Sequence, residues 1–329
     1  MKKLILSILF MSTAHAASGD DIYSYKSWAT GYIKNYAAEI DASPASTLPN
    51  NEDLNKCQPL YKNIMNNKVL DIRYALGYFD DSQGIEIVSA GKNWGYSPSL
   101  DRGIYNGIRS VLTESCTQRS QVHLCGFEEI GDSRSGKVLL TKHIELRGED
   151  IEVRIHLTQA SASESYIDNQ NSLKERQDFL TRQSEENYFG GIGKADVVIY
   201  NGHSRNGGGP DFNPPVLDKN LHTDYKGYYE IQRTGIKRVL ELVKARTNEE
   251  SILAFFSCYS KKHFYADLSE TNPGQRMIFS SDTINYNDSL KVSMGYIEGL
   301  MRGACGQELA DIAKQGDKIK NGFIGFNLK

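Results

Sequence analysis

The chain has 329 residues, with 38 basic and 41 acidic side chains and a formal net charge of −3. That length allows two modest domains or one elaborate one around a substantial core. Nothing in this balance suggests a nucleic-acid partner, which would need a basic face.

The chain opens MKKLILSILFMSTAHA: two lysines, an apolar run from Leu4 to Met11, then small residues around Ala14-His15-Ala16. This is the pattern of a secretory signal over residues 1–16, cleaved before Ala17. Without Lys2 and Lys3, 36 basic residues remain against 41 acidic ones, a net charge of −5. The apolar run is shorter than the roughly 20 residues of a membrane span, and no later segment approaches that length. No cysteine follows the cleavage site to take a lipid. A soluble periplasmic or secreted protein is expected, and its 19 tyrosines and 29 glycines suit such a loop-rich globular chain.

Residues 20–40 read as a helix and 41–53, rich in Pro, Ser and Asn, as a linker. Together they predict a helical leader and linker over 17–56, loosely attached. An α+β domain is predicted over 57–149, with strands at 69–79 and 84–91, a helix at 99–112 with Ser99 as N-cap, and strands at 121–130 and 136–146. The strand at 150–159 alternates strictly, Ile151, Val153, Ile155 and Leu157 facing one way and Glu152, Arg154 and His156 the other, as a half-buried strand must.

From 160 onward strands and helices alternate: a polar helix at 164–187, a strand at 195–200, a helix at 230–246, a strand at 252–257, a short helix at 261–270, a strand at 276–281 and a helix at 288–302. This order implies parallel strands joined by crossover helices. The runs VVIY and ILAFF are apolar on both faces, as strands between two helical layers must be. The predicted fold class is α/β, with a mainly parallel sheet over 150–329.

Five cysteines, Cys57, Cys116, Cys125, Cys258 and Cys305, are an odd number for an oxidising compartment, so at least one stays unpaired. Cys116 and Cys125 flank a short polar segment and can staple it, whereas Cys57 and Cys305 can pair only if the ends of the mature chain approach. Spacing does not decide the pairing, and buried reduced cysteines are the plain alternative. No CxxC pair indicates zinc.

Two stretches carry the chemistry. "DVVIYNGHSRNGGG" ends an apolar strand at His203, and "SILAFFSCYS" ends the next at Cys258. In an open parallel sheet, ligands bind beyond the carboxyl ends of the strands, so neighbouring strands would bring imidazole and thiol together. "VVIYNGHS" and "LAFFSCYS" resemble the caspase, legumain, gingipain and clostripain-like cysteine peptidases, in which one apolar strand ends in His-Gly and the next in the nucleophilic cysteine. The separation, 258 − 203 = 55 residues, is close to the roughly 50 of caspases.

The resemblance covers residues from about 150 to 300 and implies a caspase-like three-layer α/β/α sandwich. It implies acyl transfer on a peptide or protein substrate with no cofactor and no metal. Cys258 would be the nucleophile, His203 the base and acid, and the backbone N–H groups of Ser204 and Cys258 the oxyanion donors. Ser204 departs from the family's glycine and supplies its N–H only where local geometry admits a side chain. Lys261, Lys262 and the imidazole are the cations placed to favour a thiolate. Asp282, after the strand that follows Cys258, would line a pocket for Arg or Lys before the scissile bond; a loop or helix-capping aspartate is its plain reading. Basic specificity would also make Arg147 and Lys56 self-cleavage points. The alternative is a non-catalytic exported domain of the same fold that binds a protein or cell-envelope ligand.

Weaker signals remain. "GGIGKA" at 190–195 lacks the phosphate-loop spacing and reads as a turn. His203, Asp211 and His222 have no metal-ligand spacing. Cys305 opens a helix without a local histidine, which suits packing or a disulfide.

Overall fold

The computed structural model describes residues 19–42, 51–79, 88–89, 92–93, 98–117, 122–162, 170–220, 224–245, 250–314 and 323–324. Residues 1–16, expected as a secretory signal, and most of the expected linker lie outside them, as does His222. The helices are α1 (Gly19–Ala42), α2 (Asn51–Asn67), α3 (Pro98–Leu112), α4 (Lys174–Gly191), α5 (Thr234–Lys244), α6 (Ser260–Thr271), α7 (Tyr286–Met301) and α8 (Gly306–Lys314). The strands are β1 (Val69–Leu76), β2 (Val88–Ser89), β3 (Lys92–Asn93), β4 (Glu128–Ile130), β5 (Lys137–Leu146), β6 (Glu149–Thr158), β7 (Val197–Asn201), β8 (Ile252–Phe256), β9 (Arg276–Ser280) and β10 (Phe323–Ile324).

Eight strands form one sheet in the order β10, β9, β8, β7, β1, β6, β5, β4, and β2 pairs with β3 apart from it. The central five, β9, β8, β7, β1 and β6, are parallel. β10, β5 and β4 add antiparallel pairings at the two edges.

Every residue of β7, β8 and β9 is buried, because helices cover both faces. Val197, Ile199, Ile252, Ala254 and Phe256 pack into a core with side chains of α1, α2, α3, α7 and α8. Their neighbours Val198, Tyr200, Leu253 and Phe255 pack on the opposite face with α4, α5 and α6. A period of two in the strands thus feeds two cores, and the molecule is an α/β sandwich of three layers. The strand predicted at 150–159 is β6, and its Ile151, Val153, Ile155 and Leu157 all enter the first core.

The structure corrects several expectations. The boundary at 149/150 falls inside the β5–β6 hairpin, whose turn places Arg147 and Gly148 at positive φ. β1, assigned to the earlier segment, lies between β6 and β7, so both segments share one sheet. α1 is no loose arm: Ala29 and Ile33 are completely buried, and that burial fixes the helix against the core. The strand expected at 121–130 is restricted to Glu128–Ile130. Lys142 Nζ instead takes the carbonyls of His123 and Cys125, at 3.0 and 2.8 Å. The helix expected at 164–187 runs from Lys174 to Gly191, and the turn expected at 190–195 joins it to β7. α3 begins at Pro98, one residue ahead of the expected cap at Ser99.

Four cysteines are paired. Cys57 of α2 joins Cys305 at the start of α8, across 248 residues, and Cys116 joins Cys125 across 9. Cys258 is free. Two disulfides are compatible with an exported protein. No described helix is long and apolar enough to cross a membrane.

Candidate active site

The carboxyl ends of β1, β6, β7, β8 and β9 share one edge of the sheet. β7 and β8 pair in register as far as Asn201 and Phe256, and Gly202 N–H continues the pairing to Phe256 O at 3.3 Å. His203 and Cys258 each lie two residues beyond those last partners, on adjacent strand ends. Such strands run about 4.8 Å apart.

His203 Nε2 lies 2.8 Å from the carbonyl oxygen of Phe79, in the segment that follows β1. A carbonyl only accepts, so Nε2 carries the proton and, in the neutral ring, Nδ1 carries the lone pair. Phe79 stacks edge-on against the imidazole at 5.8 Å. The Phe79 segment is itself clamped. Its own N–H donates to Asp101 Oδ2 at 3.1 Å, and Arg205 Nη2 donates to Tyr78 O at 2.9 Å. Asp101 is completely buried in the first turn of α3 and also accepts from the Ser161 hydroxyl.

The loop carrying His203 is held from beneath. Tyr200 Oη donates to His203 O at 2.8 Å and accepts from Asp211 N–H at 3.2 Å. Burial pushes the Tyr200 phenol well above its ordinary pKa, so it stays a donor. Arg205, also fully buried, lies over the Tyr229 ring at 5.4 Å with Nε 3.8 Å from Asp211. Asp211 accepts from Tyr229 Oη at 2.8 Å. Arg205 and Asn206 adopt positive φ of 50° and 49°, so the sharp turn after His203 rests on this anchorage rather than on glycine alone.

Ser204 has φ −70° and ψ −16°. That is an ordinary right-handed conformation open to any L-residue, so the absent glycine costs the loop nothing there.

Cys258 follows β8 and is partly exposed. Tyr259 after it takes φ 50° and ψ 29°, a turn between β8 and the start of α6. Beneath, Ser260 Oγ donates to Phe255 O at 2.8 Å and accepts from Ser280 N–H at 2.8 Å, while Ser280 Oγ donates to Ser257 O. The thiol donates to Ile284 O at 3.3 Å. Lys261 and Lys262 stand over the rings of Tyr265 and Tyr259, at 5.7 and 5.9 Å. Neither the Ser204 nor the Cys258 amide hydrogen-bonds to a described residue.

Compared with protein-family models, with curated proteins and with solved structures, the chain matches none. The chemistry of the site therefore rests on its own residues.

Asp282 is partly exposed at the end of β9. Its carbonyl accepts from Tyr259 N–H at 2.9 Å, which brings it against the Cys258 turn, while its Oδ1 accepts from Thr283 N–H at 2.7 Å. Asn285, not Asp282, caps α7. Arg147 is an unsuitable cleavage point: its guanidinium lies over the Tyr61 ring at 4.1 Å and donates to Gly303 O at 3.0 Å. Lys56 sits within α2, where the backbone is not extended for a peptidase.

Sequence reasoning missed Phe79, Asp101, Arg205 and Tyr200. The GYF that follows β1 carries no chemical signature, since its contribution is a backbone carbonyl. Arg205 alone had a signal, as a cation beside His203 in a glycine-rich loop.

Proposed function

We propose that the chain is an exported cysteine endopeptidase of the caspase-like type, with His203 and Cys258 as its dyad. The observation that carries this reading is the pairing of two strand ends in register with an imidazole whose Nε2 proton is already given to Phe79 O. That leaves Nδ1 as the basic nitrogen.

In the reaction, Nδ1 takes the thiol proton and Sγ adds to the scissile carbonyl. The negative charge moves onto the carbonyl oxygen, where the amides of Cys258 and Ser204 receive it. Collapse of the tetrahedral species breaks the C–N bond, and Nδ1–H protonates the leaving amine. Water, deprotonated by the same nitrogen, then releases the acid product and restores the thiol. The bond from Sγ to Ile284 O breaks at the start, by rotation of the thiol towards β7.

Asp282, backed against the Tyr259 turn, is the group that would favour Arg or Lys before the scissile bond. Its carboxylate already accepts one amide and keeps acceptor capacity for a cation.

Peptide electrophiles with Arg, Asn or Asp termini test both parts. Wild type is expected to be labelled at Cys258, fastest by the Arg reagent, with His203→Ala slowed by at least about 100-fold. Asp282→Ala is expected to lose the preference for Arg and keep the labelling. Absence of labelling with an intact fold would leave the second reading, a binding module, which the thiol's bond to Ile284 O favours.

A further inference from the structure

Where β6 ends, two strands from β7, a cavity of ≈ 270 Å³ opens between α3 and α4. Two strand spacings are about 10 Å, so it lies on the same edge as the dyad but apart from it. Arg102 and Tyr105 of α3, Ser133 and Arg134 of the turn before β5, Ser161 after β6 and Arg176 of α4 line it.

Its charges are unbalanced. Arg134 is exposed and paired with Asp132 at 3.1 Å. Neither Arg102 nor Arg176 forms an ion pair with a described carboxylate. Arg176 is fixed in place: it donates to Arg134 O and lies over the Phe179 ring at 5.3 Å. Burial lowers its pKa and the Arg102 charge lowers it further, with the Asp132 charge opposing. Two guanidiniums brought together in a half-buried cleft repel one another, and an anion between them removes that cost. The fork of each guanidinium matches two oxygens of one oxyanion.

We propose that this cleft binds a compact dianionic oxyanion, either inorganic phosphate or the phosphate of a small monoester, with Arg102 and Arg176 as its paired ligands and Arg134 at the rim. Arg102, Arg176 and Arg134 against the single carboxylate of Asp132 leave two positive charges, which match two negative ones. Tyr105 and Ser133 add polar walls suited to the remaining oxygens. Ser161 forms the floor, and its hydroxyl is bonded to Asp101, so the bound anion would border the segment that holds His203. The proposal stands independently of the peptidase reading.

Binding is measured by calorimetry and thermal unfolding on the whole mature protein at fixed ionic strength, with inorganic phosphate, glycerol 3-phosphate and triglutamate as probes. Saturable binding of phosphate or glycerol phosphate is expected, weakened at least about tenfold by Arg102→Gln or Arg176→Gln. Tighter binding of one probe identifies the free ion or the ester as the natural form. Phosphate should also protect Arg102 and Arg176 from phenylglyoxal in wild type, which decides the matter if a variant does not fold. Absence of saturable binding, unprotected arginines, equal binding by the double variant, or binding of triglutamate alone would each overturn the proposal.

Discussion

The Phe79 carbonyl is the group that orients His203, and its position depends on side chains elsewhere. Asp101 takes the Phe79 N–H from a completely buried site, so it acts on the imidazole only through the backbone and is a positioning residue. Asp101→Ala is expected to leave two donors without an acceptor, costing about 1–3 kcal/mol of stability. It should also slow Cys258 labelling and shift its pH profile. Asp101→Asn keeps an acceptor oxygen and should recover much of the rate; if both variants label as wild type while His203→Ala does not, Asp101 has no positioning role. Cys258→Ala is expected to abolish hydrolysis while leaving thermal stability nearly unchanged, because the thiol is only partly buried and gives up a single bond to Ile284 O. An active Cys258→Ala protein would refute the dyad. At Tyr259, a left-handed residue with a side chain, Gly should be tolerated or stabilising by about 1 kcal/mol in chemical denaturation.

At the scale of elements, β1 and β6 bury a titratable group on the face away from the first core. His156 on β6 has its pKa lowered from 6.5 to about 4, first by burial and then by the Arg73 charge, with Asp71 opposing. Unfolded chain takes up this proton near 6.5 and the folded chain only near 4, so between those values the unfolded state binds more protons. The contribution is complete above pH 6.5 and is lost as pH falls towards 4. Urea melts at stepped pH are expected to show that decline in wild type and a flatter profile in His156→Gln. The same strands show how far pattern reaches. The alternation of Ile151, Val153, Ile155 and Leu157 gave the buried face of β6 directly, and the apolar runs of β7 and β8 announced two covering layers. The stretch at 121–130 misled because its apolar residues, Val122, Leu124 and Phe127, are buried without a strand ladder, their backbone being held by Lys142 and the Cys116–Cys125 staple.

For the whole molecule, the Cys57–Cys305 bond ties α2 to the start of α8 across 248 residues. A loop that long loses much conformational freedom in the unfolded chain, about 5–6 kcal/mol in the entropic account. Cys57→Ser with Cys305→Ser should lower the unfolding midpoint in denaturant far more than Cys116→Ser with Cys125→Ser, whose loop spans 9 residues. Equal losses would place the stabilisation in local packing instead. The sequence by itself determined what depends on neighbours along the chain: strand and helix periods, the alternation of β and α after residue 160, the spare cysteine, and the two strand ends that carry His203 and Cys258. Only the tertiary structure decided what depends on strand order. β1 lies between β6 and β7, which merges the two expected domains into one sheet and brings the Phe79 carbonyl to His203. Parallel neighbours are joined by long crossovers, so the order of strands leaves no local trace in the residues. A backbone carbonyl leaves none either, since every residue has one.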